Sequence, residues 1–529
     1  GSEYVEPRTE TEIALARIWE RLLDVEHVGI EDNFYDLGGD SLLALRSVMA
    51  ANRLGLQLTP NSIFQLQTIS ELALAAEEAK SSADDQGVVT GPLPLTPAQL
   101  RFLDERATPD PHHWNLPSLL QAEEFRPSSL RTAVEEIIRH HDALRLRLWQ
   151  EDGRWRQEIA APPSDVPLES HDLSALSAHE RAMVIERVCT ELQGSIDLEQ
   201  GLLLRAAHFD CGPDEPDRFF VTIHHFAVDG LTWPVLWEDL EQAYRQADEG
   251  LAVSLPAKTM SFKTWATQLE RLVRSPRITD TAGDWLRQPW HEVARLPARP
   301  DADPRSNTNS STAVVELELS ADETRRLLHG RQRPDHVIIT ALARCLSGWT
   351  ASPTVLMDVL GHGRDAALNG VNLSRTVGFT LSYQPLVLHH PSWDDSEETV
   401  ASVASQIGAL PEGFSFELLR FLTPDGDLRD RLMQLPRAEL LFNSRGIDSD
   451  EEEEEEDSMW QPAPEPTGPS DSPRGLRQYP IAVQAAGATN LRLIFIYSTK
   501  LHTASTIEAR VAEVAATLRV LLEDRPVAR

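Results

Sequence analysis

The sequence predicts a small helical domain followed by a two-lobed α/β region, and three observations lead to this prediction. Residues 6–80 contain only helical patterns. A linker, 81–92, begins with small polar residues and separates this part from the rest. From residue 93 to the end, helical and strand patterns alternate over a length too great for one hydrophobic core. We therefore expect two lobes, 93–270 and 271–529.

Capping residues and periodicity predict the helices of the first domain. Thr9 to Glu12 read as a capping box before a helix. The helix then carries an apolar stripe at helical spacing, formed by Leu15, Ile18, Trp19 and Leu22. A Gly-Gly turn at 38–39 precedes a second helix that begins at Ser41, and a third helix is predicted over 70–79.

In the α/β region, runs of period 3.6 alternate with short runs of β-branched and aromatic residues. The helices are predicted over 130–140, 236–246, 337–349 and 506–522. The strands are predicted over 219–223, 355–359 and 491–497. The segment 447–474 contains nine acidic residues in one run and five prolines, so we expect a solvated, disordered insertion there.

Composition excludes several classes of partner. The chain has 83 acidic and 49 basic residues, a net charge of −34, whereas binding to nucleic acid or to an anionic membrane requires surplus Lys and Arg. No apolar stretch of about 18 residues occurs, so we expect no membrane span. The three cysteines have no metal-binding or disulfide spacing, so we expect no metal site and a cytoplasmic location.

A serine follows the glycine turn at the start of the second predicted helix. Residues 32–42 read DNFYDLGGDSL, and glycine makes such a turn at the lowest cost. The helix dipole favours an anion there, so a phosphodiester on Ser41 Oγ would be well placed. The alternative is that Ser41 only caps the helix.

Two adjacent histidines, His224 and His225, follow a predicted strand. Successive side chains of a strand point to opposite faces, so one histidine faces a cleft while the other packs inward. A neutral imidazole exchanges a proton near pH 7 and suits general acid–base catalysis. We expect His224 to be a packed core residue.

The string at Ser41, with its flanking helices, resembles the attachment motif of acyl and peptidyl carrier proteins. This resemblance implies a bundle of three or four helices with 4'-phosphopantetheine on Ser41. Such a carrier holds its substrate as a thioester and has no active site of its own.

Residues 223–230 resemble the HHxxxDG motif of the condensation superfamily of nonribosomal peptide synthetases. The resemblance implies that His225 is the catalytic histidine and faces a tunnel between the lobes. It also implies that Asp229 is structural and ion-paired, and that Gly230 permits the turn. It also implies a V-shaped pair of lobes like those of chloramphenicol acetyltransferase.

Further strings resemble the epimerization branch of that superfamily: PLTPAQ at 94–99, PHHWN at 111–115, SFKTWA at 261–266, GHGRD at 361–365 and SRTVG at 374–378. The resemblance covers nearly all of 93–529. It implies that the domain interconverts the L and D forms at the α-carbon of a tethered aminoacyl or peptidyl group.

The sequence departs from the branch at several positions. The family's glutamate before GHGR is Leu360, the tryptophan of its GWFTS string is Phe379, and the first tyrosine of its YGLLRY string is Phe416. Inversion needs a proton carrier on each face of the α-carbon, and leucine is not one. Asp358 lies two residues earlier on the same strand face, about 7 Å along it, and is either a substitute acid or a buried structural acid. Glu417, in a helical pattern, is a second candidate acid.

Three interpretations of the function therefore stay open: an epimerase, a domain repurposed for cyclisation, elimination or acyl transfer, and a silent domain that only docks the carrier. The resemblance further implies a phosphopantetheinyl transferase, an upstream adenylation domain and a downstream condensation domain as partners.

Overall fold

Three helices of the N-terminal part pack around a small core. The structure is a computed structural model that describes residues 5–54, 56, 58, 62–63, 66–78, 86–105, 110–364, 372–394, 396–411, 413–447 and 459–523. The helices are α1 (Glu10–Leu23), α2 (Ser41–Arg53) and α3 (Ile69–Glu78). The predicted capping box is present at Thr9 and Glu12, and Leu15 and Trp19 of the predicted stripe are fully buried.

The first α/β lobe contains a five-stranded and a three-stranded sheet. Its elements are β1 (Gly91–Pro92), α4 (Pro97–Glu105), β2 (Asn115–Ala122), α5 (Pro127–His140), β3 (Leu146–Glu151), β4 (Arg154–Ile159), β5 (Leu168–Asp172), α6 (Ala178–Gly194), β6 (Leu204–Asp210), β7 (Asp217–His224), α7 (Trp233–Asp248) and α8 (Phe262–Leu272). The small sheet has the order β1-β4-β3.

The second lobe is built on a six-stranded mixed sheet. Its elements are α9 (Pro276–Thr279), α10 (Ala282–Arg287), β8 (Thr312–Glu318), α11 (Ala321–Leu328), α12 (Pro334–Thr350), β9 (Thr354–Gly361), β10 (Ser382–His389), α13 (Glu397–Ala409), α14 (Gly413–Leu422), α15 (Gly426–Met433), β11 (Leu440–Gly446), β12 (Gln461–Pro462), β13 (Ile481–Ala486), β14 (Arg492–Ser498) and α16 (Ala504–Glu523). The sheet order is β10-β9-β11-β13-β14-β8. Each helix and strand predicted from the pattern is present, with ends that differ by a few residues.

One strand crosses from the second half of the chain to the first lobe. β12 pairs antiparallel with β2, which makes the large sheet β12-β2-β7-β6-β5. The core of the first lobe also takes in side chains from the second half, including Phe379, Tyr383, Phe416 and Tyr479. The two halves therefore share one packed region, and a simple division near residue 270 does not describe it.

The expectation of a disordered insertion over 447–474 is wrong for its second part. The acidic run lies within 448–458, outside the described residues. From 459 onward the segment is ordered: Trp460 is buried among aromatic rings, and Glu465 forms an ion pair with Arg218 at 2.8 Å. The prolines are compatible with this because the segment lies along a sheet edge, where a missing N–H costs little. Over the described ranges, no helix has the length and apolar content needed to cross a bilayer.

Candidate active site

The glycine turn places Ser41 as the first residue of α2. Gly38 has a φ of +98°, and a Cβ on Gly39 would lie 2.3 Å from the Phe34 ring, so both positions require glycine. Asp40, not Ser41, is the N-cap: its Oδ1 accepts hydrogen bonds from the N–H groups of Leu42 and Leu43, both at 2.8 Å. The capping alternative for Ser41 is therefore wrong.

The start of α2 already binds one carboxylate. Asp40 occupies two of the N–H donors that an anion at this helix start would use. The turn, exposed at Gly38 and partly exposed at Gly39, remains compatible with a prosthetic arm that extends into solvent.

His224 is a fully buried structural histidine. Its Nε2 lies 2.9 Å from the carbonyl oxygen of Pro111, and its Nδ1 accepts a hydrogen bond from the N–H of Phe226 at 3.0 Å. These partners require a neutral ring that carries its proton on Nε2. Burial lowers the pKa of His224 to about 3, which agrees with that tautomer.

His225 is the first residue of the turn that follows β7 and is only partly buried. Its ring stacks on Trp114 at 4.2 Å between centroids, and Phe379 contacts it edge-on at 5.1 Å. Its backbone N–H donates to the Trp114 carbonyl at 2.8 Å. Two aromatic rings therefore fix the plane of the imidazole, and one of them belongs to a position where the sequence departs from the epimerization branch.

Asp229 holds the HHxxxDG loop against the second half of the chain. Its Oδ2 accepts hydrogen bonds from the N–H and the hydroxyl of Thr380, at 3.0 and 2.8 Å. Arg364 of the GHGR string donates to the same hydroxyl oxygen at 3.2 Å. Among the described residues, the carboxylate of Asp229 is held by hydrogen bonds from Thr380 and not by the expected ion pair. Gly230 lies in the turn before α7, as predicted.

Leu360 sits opposite Tyr383 in the β9–β10 pair. Residues paired across antiparallel strands point to the same face, so both side chains lie on the face that also carries Asp358. Leu360 packs, partly buried, against the core of the first lobe, where Tyr383 is itself buried. The family's glutamate position therefore faces the region shared by the two halves.

Asp358 belongs to a buried cluster around Arg101 of α4. Its Oδ2 accepts from Arg101 Nη2 and from the Tyr479 hydroxyl, both at 2.6 Å. Arg101 also pairs with Glu417 at 3.3 Å and lies over the Tyr383 ring at 4.3 Å. These contacts favour the structural interpretation of Asp358 over that of a substitute acid.

Glu417 is the second carboxylate of this cluster, which we call the Arg101 cluster (Arg101, Asp358, Tyr383, Glu417, Tyr479). Its Oε2 accepts from the N–H of Tyr383, the residue opposite Leu360, at 2.8 Å. Burial raises the pKa of Glu417 to about 7, against the lowering effects of Arg101 and of the Tyr383 N–H.

Sequence reasoning missed Arg101, Trp114 and Thr380 as contributors to the site. Trp114 falls in a string that resembles the epimerization branch, and Thr380 lies two residues after another such string, but nothing local shows that they contact His225 and Asp229. Phe416 packs against Trp285 and Trp290 at 5.1 and 5.8 Å, so the structure places this substituted position in an aromatic core.

Comparison with known proteins agrees with this arrangement. Residues 89–526 match the condensation domain family, and residues 14–75 match the phosphopantetheine attachment site family. The chain belongs to the condensation domain family. It is a nonribosomal peptide synthetase didomain in which a carrier, whose cofactor is 4'-phosphopantetheine, precedes a condensation/epimerization-type domain, and that superfamily is enzymatic.

Solved structures show the same fold. The epimerization domain from the third module of tyrocidine synthetase B is similar with a TM-score of 0.71 and 30% identity, over 84% of this chain and 98% of that one. The X-domain from teicoplanin biosynthesis has a TM-score of 0.65 at 20% identity, over 84% of this chain and 98% of that one, and supports the fold alone.

Curated relatives are much longer proteins. A linear gramicidin synthase polypeptide of Brevibacillus parabrevis is 37% identical over 96% of this chain and 7% of its own length. Chondramide synthase of Chondromyces crocatus is 33% identical over 99% of this chain and 13% of its own length. The chain thus spans about a tenth of the relatives it matches.

Proposed function

We propose that the domain epimerizes the α-carbon of an aminoacyl or peptidyl thioester carried on Ser41. One observation carries the proposal: Arg364 of the GHGR string bonds the carbonyl of Thr376 in the SRTVG string and the hydroxyl of Thr380, and that hydroxyl bonds Asp229 of the HHxxxDG loop. Both strings are typical of the epimerization branch. The similarity to the tyrocidine epimerization domain supports the same function.

His225 is the proposed general base. Bound phosphopantetheine supplies the thioester that makes the α-proton acidic. His225 removes that proton, and stacking against Trp114 and Phe379 holds the imidazole in one plane during the transfer. His224 contributes indirectly, because its bonds to Pro111 and Phe226 fix the end of the strand that carries His225.

Leu360 cannot carry the proton on the face of the substrate's α-carbon that lies opposite His225. Asp358, the candidate acid suggested by the sequence, already accepts two strong hydrogen bonds from Arg101 and Tyr479. Glu417 has a pKa near neutrality, which suits proton exchange, but it is fully buried behind Tyr383. The Arg101 cluster is therefore where the second proton pathway should be sought.

Leu360 is the observation that favours a second candidate function. An apolar side chain at this position, next to acids already bound to Arg101, also fits a domain repurposed for cyclisation, elimination or acyl transfer on the same tethered substrate. A silent docking domain is the third interpretation.

Loading followed by chiral analysis separates these interpretations. The carrier is charged from L-leucyl-, L-valyl- and L-phenylalanyl-coenzyme A by a phosphopantetheinyl transferase, and the amino acid is then hydrolysed and resolved on a chiral column. Epimerization predicts D enantiomer from the parent and none from His225→Ala. Equal D enantiomer from both proteins, or a product other than the amino acid, would contradict the proposal.

The partners and the location complete the proposal. We infer a phosphopantetheinyl transferase that modifies Ser41, an adenylation domain upstream and a condensation domain downstream, in a cytoplasmic assembly. The order of the two matched families and the synthases among the relatives support this inference.

A further inference from the structure

Leu360 and Tyr383 form the last pair of side chains on one face of the β9–β10 ladder before the ladder ends. The next pair, Gly361 and Ser382, belongs to the opposite face, and a Cβ on Gly361 would lie 2.5 Å from Ser382 Oγ, so the strand ends lie close together. Tyr383 is therefore the direct cross-strand neighbour of the position at which the epimerization branch carries its glutamate.

This face of the ladder lies on the side of the molecule that holds His225. Tyr383 belongs to the core of the first lobe and Leu360 packs against that core, whereas Val359, one residue earlier, packs against the core of the second lobe. The first-lobe core also includes Phe379, whose ring contacts His225 edge-on at 5.1 Å. Tyr383 and His225 therefore border one packed cluster.

Hydrogen bonds hold the end of the same ladder against the HHxxxDG loop. The hydroxyl oxygen of Thr380 lies 2.8 Å from Asp229 Oδ2 and 3.1 Å from the carbonyl oxygen of His362. Thr380 precedes one member of the Leu360–Tyr383 pair by three residues, and His362 follows the other member by two. Both strands therefore reach the motif loop within three residues of this pair.

Tyr383 also lies at the centre of the Arg101 cluster. The guanidinium carbon of Arg101 is 4.3 Å from the centroid of the Tyr383 ring, and this ring stacks on that of Tyr479 at 6.5 Å. The backbone N–H of Tyr383 donates to Glu417 at 2.8 Å. A guanidinium keeps its charge throughout the physiological pH range, so it attracts the negative charge that a phenolate would carry beside it.

We propose that the Tyr383 hydroxyl is the proton carrier for the face of the α-carbon opposite His225, in place of a carboxylate at position 360. His225 takes the α-proton, and the electron pair of that C–H bond stays on the α-carbon. The Tyr383 hydroxyl gives its proton to the other face, which inverts the centre and leaves a phenolate beside Arg101. Proton transfer through solvent from the imidazolium to the phenolate restores both groups. The proposal rests on the proposed function, since it names the second proton carrier of that reaction.

Tyr383→Phe tests the proposal because it removes the hydroxyl and keeps the ring. The whole chain is loaded from L- or D-leucyl- and L- or D-phenylalanyl-coenzyme A in deuterated water, and the hydrolysed amino acid is analysed for deuterium and chirality. In the parent, both enantiomers should gain deuterium and interconvert. The control is Tyr497→Phe, the same change at a buried tyrosine in the core of the second lobe, and it should behave as the parent does.

The two enantiomers should respond differently in Tyr383→Phe. L substrate should still gain deuterium, because His225 can remove a proton and return one to the same face, but the yield of D enantiomer should fall at least about a hundredfold. D substrate should lose deuterium uptake and inversion by the same factor. Adding Leu360→Glu to Tyr383→Phe should restore inversion, because it returns a proton carrier to the cross-strand neighbour.

Inversion at the parental rate in Tyr383→Phe would overturn the assignment of Tyr383. Equal loss of deuterium uptake from L and D substrates would also overturn it, because a carrier for one face is required for inversion and not for exchange at the other face. Failure of Leu360→Glu to restore inversion would contradict the shared role of the two positions. Each of these results leaves the proposed function standing, whereas a parent that neither exchanges nor inverts would refute that function and the assignment with it.

Discussion

Replacing Glu417 with Gln should remove a pH-dependent loss of stability. Burial raises the pKa of this carboxyl from 4.5 to about 7. Between these values the folded state binds more protons than the unfolded state, so the free energy of unfolding falls as pH rises through this window. This rise of the pKa corresponds to about 3 kcal/mol of stability lost across the window. Glutamine does not titrate, so the variant lacks this loss.

Glutamine also removes one acceptor, but that effect is separable. The carboxylate of Glu417 accepts from Arg101 and from the Tyr383 N–H with different oxygens, whereas a glutamine side chain would offer a single acceptor oxygen. One donor then loses its partner, at a cost of about 1–3 kcal/mol. Because this cost applies at every pH, it cancels when the same pair of proteins is compared at two pH values.

Thermal unfolding of parent and variant at about pH 5 and about pH 8 measures the effect. With an unfolding entropy of about 2.1 cal/mol/K per residue over residues 89–526, about 3 kcal/mol corresponds to about 3 °C. When the pH is raised from about 5 to about 8, the unfolding midpoint of the variant should rise by about 3 °C relative to the midpoint of the parent. Glu186→Gln, at an exposed position on α6, is the control. A raised pKa at Glu417 would be refuted if the difference between the two midpoints were the same at both pH values, or if the parent rose relative to the variant.

Three further changes test other parts of the site. Leu360→Glu should speed L/D equilibration on the carrier if the domain is a weakened epimerase, and should abolish the domain's own product if the domain is repurposed. Chiral analysis that finds an unchanged product and an unchanged rate would mean that position 360 does not face the substrate. His224→Ala should lower the unfolding midpoint, because it removes two buried hydrogen bonds at about 1 kcal/mol each and leaves a cavity, and a midpoint equal to the parent's would contradict its structural role. Deletion of 448–457 should leave midpoint and turnover nearly unchanged, since nine like charges repel one another; a fall of several degrees would show that the run packs or binds.

Local signals made the elements and the two motifs predictable. Capping at Thr9, the stripe through Trp19 and the strand before His224 depend on neighbours within a few residues, and the structure confirms each of them. The burial of His224 is also predicted, and its contacts support that prediction, whereas the role of His225 rests on the resemblance of the motif.

Long-range packing explains what the sequence does not predict. Arg101 meets Asp358 and Glu417 across 257 and 316 residues of sequence, and no periodic pattern encodes such a meeting. The polar, proline-rich composition after Trp460 predicts disorder, yet pairing at the edge of a distant sheet orders this segment. In the part of the chain that the structure describes, Asp229 bonds the hydroxyl of Thr380 and not a cation. Thr380 lies far along the chain, so no local signal predicts this contact.

The central claim is that His225 exchanges the α-proton of a substrate tethered to Ser41, and hydrogen exchange tests it most directly. The carrier is loaded from L-leucyl-, L-valyl- and L-phenylalanyl-coenzyme A in deuterated water, and the mass of the released phosphopantetheine arm is followed over time. The account predicts gain of one deuterium per substrate in the parent, none in His225→Ala and no loading in Ser41→Ala. Loss of water or ammonia, deuterium uptake without His225, or an arm on the Ser41→Ala protein would contradict it.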